Sequence, residues 1–139
     1  MNRGEILREF DTCGIQATSQ RIEIAEILFE KRQHLSAEQL MERLRASGSA
    51  VSKATVYNTL NLFAERGLVK ECIVDPERRF YDSNTSKHHH FFIIDTGELV
   101  DIPHDEIRFA DLPEFPAEGH IDSVEVLIKI RKKDPEKPG

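Results

Sequence analysis

Cysteine is nearly missing from this chain: Cys13 and Cys72 are its only two, far apart and in no CxxC pair. That excludes a disulfide framework and a thiolate zinc knuckle, fits the reduced thiols of a cytosol, and makes each cysteine a small buried hydrophobe. Long apolar runs are missing too. No stretch approaches the roughly 20 apolar residues that span a bilayer. The opening MNRGEILREFDTCGI has no hydrophobic core of a secretion signal, so the expected location is cytoplasmic with no membrane partner. There is no internal repeat and no low-complexity tract. A surplus of positive charge is absent as well. With 19 Lys and Arg against 25 Asp and Glu, the net charge of −6 argues, taken alone, against a nucleic-acid partner. Position changes that reading. Residues 1–84 carry 12 basic against 13 acidic side chains, a net of −1, whereas residues 85–139 carry 7 against 12, a net of −5. The halves differ in character, and the whole-chain charge is a poor guide to either.

What the chain does have is histidine concentrated at one place. His88, His89 and His90 run consecutively in SKHHHFFIID, at the front of an apolar run that reads as a strand. Successive side chains of a strand point to opposite faces, so His88 and His90 share a face and His89 looks the other way. Two imidazoles so spaced reach one metal ion or a haem iron. An engineered tag is the bland alternative, but tags run longer and sit at a terminus.

The first half reads as helices followed by a hairpin. A short helix is expected from Arg3 to about Thr12, ending before Gly14. Thr18 caps the next, with Ile22, Ala25, Ile27, Leu28 and Phe29 on its apolar face. Ser36 opens a capping box with Gln39, and Leu40, Met41 and Leu44 follow at helical spacing. Ser52 caps SKATVYNTLNLFAER, with Val56, Leu60 and Phe63 on one stripe and Gly67 as its stop. LVKECIV and RRFYD are strands joined by the turn Asp75–Arg78. This is the order of a winged helix-turn-helix. Its reading helix begins at Ser52, where free N–H groups suit phosphate and Ser52, Lys53, Thr55, Tyr57 and Asn58 approach base edges. An ordinary amphipathic helix with solvated polar residues shares the same periodicity.

The second half predicts a strand HHFFIID, a turn at Thr96-Gly97, a strand ELVDIP ended by Pro103, and a short helix HDEIRFADL. Beyond Pro113 and Pro116, HIDSVEVLIKIRKK alternates as a half-buried strand through Ile121, Val124, Val126, Ile128 and Ile130, and the tail DPEKPG is disordered. The expected fold is α+β: a winged helix over 1–83 and a small α/β module over 84–139. The second core is marginal alone, so dimerisation is expected to share its burial.

Oxygen ligands lie where they can join the triplet. Asp82 precedes His88 by six residues, Asp101 lies on the strand that an antiparallel partner would set beside His88 and His90, and His34 falls between the second and third helices. Singly, His34 reads more readily as a surface or capping residue, and Asp82 and Asp101 as strand-end carboxylates. Together they form a mixed N/O set suited to Fe²⁺, Mn²⁺ or Zn²⁺. If His34 and Asp82 meet the strand histidines, metal would clamp the two halves in one orientation and turn metal concentration into a DNA-binding geometry. His104, His120 and Glu106 read as solvated. A weaker second site built on His89 with Glu106 or His120 is the lesser alternative.

With these residues assembled, the chain resembles the ferric uptake regulator family over nearly its whole length. The resemblance rests on TSQR (18–21), HLSAEQL (34–40), SKATVYNTLNLFAERGLV (52–69), YDSNTSKHHHF (81–91) and DTGELVDIP (95–103). The stretch NTS-x-HHH-F, followed by a strand ending D-I-P, is most similar to the iron response regulator branch. The resemblance implies a homodimeric, metal-dependent transcriptional regulator that binds double-stranded operator DNA. Its regulatory metal site falls on His34, Asp82, His88, His90 and Asp101, its base-contacting aromatic on Tyr57, and a phosphate-contacting arginine on Arg21. The branch associates the triplet with haem, which His88, His89 and His90 would hold. Departures are equally specific. The first pair of a four-cysteine structural zinc would fall on Ile93 and Thr96, and Lys87 and Arg108 replace ligands of a further site. No cysteine precedes a proline, so the Cys-Pro haem motif is missing.

The leading expectation is a DNA-binding sensor of iron or manganese status and not an enzyme. The alternative within the fold is a peroxide-sensing repressor, in which bound Fe²⁺ oxidises a ligand histidine. A metal-dependent hydrolase is a third class. It wants a general base and an open metal position, and a site with four or five protein ligands supplies neither.

Overall fold

The computed structural model describes residues 1–133, which separate into two units that divide between Thr85 and Ser86. The tail DPEKPG lies outside the described residues. In the first unit the helices form where caps and apolar spacing predict them. Helix α1 (Arg3–Cys13) starts at a capping box between Asn2 and Glu5 and stops at Gly14, whose φ of 68° is the left-handed conformation that glycine adopts without strain. Helix α2 (Ser19–Leu28) is capped by Thr18, and α3 (Ala37–Ala46) by Ser36 and Gln39 in a reciprocal box. Helix α4 (Lys53–Glu65) begins at Ser52, whose side chain accepts the Thr55 N–H. Their apolar stripes meet in one core in which Ile24, Leu28, Leu40, Val56 and Phe63 are fully buried. Phe10 and Phe63 pack with ring centroids 5.5 Å apart.

A three-stranded antiparallel sheet completes this unit. Strands β2 (Lys70–Asp75) and β3 (Arg78–Asp82) make the wing. A strand that sequence patterning misses, β1 (His34–Leu35), pairs with the other edge of β3 and gives the order β1-β3-β2. Its register sets His34 opposite Asp82 and Leu35 opposite Tyr81. Ser83 reinforces the junction by donating its N–H to the Gln33 carbonyl.

The second unit is a three-stranded sheet of order β5-β4-β6, with β4 (His88–Ile93) central. Strand β5 (Glu98–Pro103) pairs antiparallel and β6 (Leu127–Ile130) parallel to it. Two expectations are corrected here. The helix over HDEIRFADL is only a single 3-10 turn, His104–Glu106. Phe109 and Leu112 are exposed, so no packed face offsets the cost of nucleating a helix, and Pro113 and Pro116 favour extended backbone before them. The last strand is shorter than its alternation suggested, because β4 offers it a ladder only from His90 to Ile93. The cysteines also depart from expectation, both being half-buried. Among the described residues no helix is long and apolar enough to cross a membrane.

Candidate metal centre and nucleic-acid interface

The strand period decides which histidines act together. His88 and His90 sit on one face of β4, and the ladder places Asp101 of β5 directly opposite His90. Both rings are buried, with centroids 4.5 Å apart. Their Nε2 atoms lie 3.6 Å (His88) and 3.3 Å (His90) from the same Asp101 Oδ1. The His88 tautomer follows from its other nitrogen, because Nδ1 lies 2.6 Å from the Ser86 carbonyl oxygen, which can only accept. Nδ1 therefore carries the proton and a neutral His88 turns a lone pair at Nε2 toward a carboxylate. Lone pair and carboxylate oppose each other unless a proton or a cation lies between them. An imidazole whose far nitrogen donates to a backbone carbonyl is also how proteins orient a metal-ligating histidine. The donor atoms of His88, His90 and Asp101 lie within 4.8 Å of one another, a spread that a single ion spans.

His89 is different in kind. It is 2% exposed, and its Nδ1 accepts the Val126 N–H at 2.9 Å. The proton of the neutral ring must then sit on Nε2, which has no hydrogen-bond partner among the described residues. A nitrogen that carries the proton offers no lone pair, so in this arrangement His89 ligates neither a metal nor a haem iron. Its ring stacks near His104 and meets Phe109 edge-on, and burial, followed by the neighbouring His104, lowers its pKa below the ordinary histidine value. Its work is structural, holding the entry to β6. His104 is exposed but stacks on His89, so it is not merely solvated, while His120 and Glu106 are exposed as expected.

Within the first unit, the β1–β3 register makes His34 and Asp82 direct cross-strand neighbours. Phe80 packs edge-on against the His34 ring at 6.2 Å, and the Asp82 carboxylate accepts the Asn84 N–H at 2.9 Å. Each unit thus assembles part of the expected ligand set: His34 with Asp82, and His88 and His90 with Asp101.

Four of the DNA-reading candidates line two hollows beside α4. Arg21, Thr55 and Asn58 line one of them together with Thr18, Gln20 and Glu65. The Arg21 guanidinium donates to the Gln16 carbonyl at 2.8 Å. Ser52 spends its hydroxyl on its own helix, accepting the Thr55 N–H and donating to Thr55 Oγ1. It is the N-cap of α4. Tyr57 borders the other hollow, with Glu38, Asn61, Arg79 and Tyr81. Its hydroxyl donates to Glu38 Oε1 at 2.6 Å, and the Lys53 Nζ lies 5.8 Å from its ring centroid. That bond lowers the Glu38 pKa and raises that of the Tyr57 phenol. Glu38, Ser86 and Val126 all escaped sequence reasoning. Each acts through a contact made after the chain folds or through its main chain, which leaves no local signal.

Comparison with known proteins adds an independent line. The model of the ferric uptake regulator family matches residues 12–135. The chain is 35% identical over 97 residues to the peroxide operon regulator of Bacillus subtilis, covering 70% of this chain and 67% of that one. It is 33% identical over 98 residues to the ferric uptake regulation protein of Vibrio cholerae, covering 69% of this chain and 65% of that one. Among solved structures, the ferric uptake regulator from Pseudomonas aeruginosa with manganese superposes with a TM-score of 0.67 at 25% identity, over 91% of this chain and 97% of that one.

Proposed function

Because the chain belongs to the ferric uptake regulator family, whose members are transcriptional regulators and not enzymes, we propose that it is a homodimeric repressor whose grip on operator DNA is set by one divalent ion per chain. Fe²⁺, Mn²⁺ or Zn²⁺ is held by His34, Asp82, His88, His90 and Asp101. The observation that carries this reading is the pair of Nε2 atoms turned on one Asp101 oxygen, with the His88 tautomer fixed by Ser86. Cross-strand pairing of His34 with Asp82 supports their joining the same ion from the other unit. Bound metal then fixes the reading helix α4 relative to the sheet, and so biases the chain toward the DNA-competent geometry. Residues 1–83 supply the DNA-binding domain, with Tyr57, Asn58 and Thr55 at bases, Arg21 and Lys53 at phosphates, and Ser52 fixing the helix start. Residues 84–139 supply sensing and dimerisation. Val100, Phe91 and Ile128 stand side by side on the sheet face opposite His88 and His90, and the exposure of Val100 and Ile128 supports a second copy covering that face.

The test is recovery of duplexes from a randomised pool by the full chain with and without Mn²⁺, followed by titration of the enriched duplex at one stated salt concentration. Mn²⁺-dependent enrichment is expected. Equal binding of all duplexes, or enrichment indifferent to metal, overturns the reading.

Two finer readings have specific support. Similarity to a peroxide operon regulator favours peroxide sensing, for which iron-loaded protein treated with peroxide gains the mass of one oxygen on a ligand histidine. The NTS-x-HHH-F stretch favours the iron response regulator branch with haem as ligand. There His88 and His90 are the available imidazoles, and a haemin arm in the same titration tests it.

A further inference from the structure

We propose that Glu38 is a positioning residue for Tyr57, holding the phenol of the reading helix in one orientation on the DNA-facing side of the first unit. The inference rests on the reading of α4 as the recognition helix and deepens it. Glu38 lies in the first turn of α3, inside the capping box that Ser36 and Gln39 close, so its backbone is anchored. From there its carboxylate accepts the Tyr57 hydroxyl at 2.6 Å, across 19 residues of sequence, while the Lys53 ammonium sits near the ring. A short bond to a charged acceptor is among the stronger hydrogen bonds a tyrosine makes. The phenol is therefore held at its tip from one helix and steadied from the preceding turn of its own. The hollow beside it, bordered by Asn61, Arg79 and Tyr81, gives an unheld ring somewhere to turn.

Two consequences separate this role from a bland one. A carboxylate on a DNA-facing surface opposes phosphate approach. Were that its whole effect, removing it would strengthen binding to every duplex alike. A positioning residue behaves in the opposite way, since its loss weakens the selected duplex and spares the scrambled one. The hydroxyl proton is also committed to Glu38, so Tyr57 meets DNA with its ring.

The experiment uses the full Mn²⁺-loaded chain and two probes: the duplex it enriches from a randomised pool, and a scrambled duplex of equal composition. Glu38→Ala is expected to cut the ratio of selected to scrambled affinity about tenfold, the lower end of what one misplaced base contact costs. Glu38→Gln, which still offers an acceptor oxygen, is expected to keep the ratio within about threefold. Tyr57→Phe is expected to lose as much as Glu38→Ala, and the double variant no more than either. In a Tyr81→Phe background, where Tyr57 is the remaining phenol, its ionisation is expected to move to lower pH in Glu38→Gln. An unchanged ratio in Glu38→Ala, a uniform gain for both duplexes, additive losses in the double variant, or an unmoved phenol titration each overturns the role of Glu38. Failure of the unmodified chain to enrich any duplex instead overturns DNA reading itself, so the two failures are told apart.

Discussion

At the residue scale, His88 and His89 are adjacent but stand in opposite hydrogen-bonding arrangements. His88 gives its Nδ1 proton to Ser86 and turns Nε2 toward Asp101, whereas His89 accepts the Val126 N–H and keeps its proton on Nε2. Replacing His88 and His90 together by alanine is expected to abolish the metal dependence of DNA binding. Circular dichroism should report an intact fold. Metal-dependent affinity surviving in that variant would count against the site. Asp101→Asn is expected to weaken Mn²⁺ binding by about tenfold or more in calorimetry, because a charged ligand shared by both rings is neutralised. His89→Phe should behave in the reverse way. It strands the Val126 N–H and relieves an unpaired Nε2–H, so the expected loss is about 1 kcal/mol in unfolding free energy, with Mn²⁺ affinity retained. Loss of metal affinity in that variant would place His89 in the site.

At the element scale, the caps decide what could be read ahead of the fold. Ser36 with Gln39, Thr18, and Ser52 with Thr55 are local signals, each complete within four residues, and each begins a helix. Ser36→Ala is accordingly expected to cost about 1 kcal/mol, seen as a lowered melting temperature. An unchanged melting temperature would mean that tertiary packing alone holds α3. Elements that depend on distant partners were illegible or misread. Strand β1 has two residues and exists because β3 lies beside it, which no period-2 pattern can announce. The alternation in residues 121–130 is genuine, yet only Leu127–Ile130 finds a ladder. The periodicity in residues 104–112 likewise suggests a helix, but apolar side chains left as exposed as Phe109 and Leu112 do not hold one. The shared face of His88 and His90, with Asp101 opposite, was legible because the β-strand period and the order of turns restrict which side chains share a face. The Tyr57–Glu38 bond was not, because it joins two helices across a turn.

At the scale of the whole molecule, each of the two units holds part of the expected ligand set and a different share of the charge. The acidic excess belongs to residues 85–139 and not to the unit that contains α4, so a net charge of −6 and a DNA-binding first unit are compatible. The exposed Val100 and Ile128 belong to the sheet face that a second copy would cover. Replacing both by aspartate is expected to halve the mass seen in sedimentation and to weaken binding to a two-half-site duplex. An unchanged mass would place the dimer elsewhere. The most direct measurement is a crystal structure of the zinc-loaded chain with the ion located by anomalous scattering. One ion per chain is expected, about 2.0–2.1 Å from imidazole nitrogens of His88 and His90, with His34 in the same coordination shell. An ion held by His88, His90 and Asp101 while His34 binds nothing would contradict a metal that joins the two units.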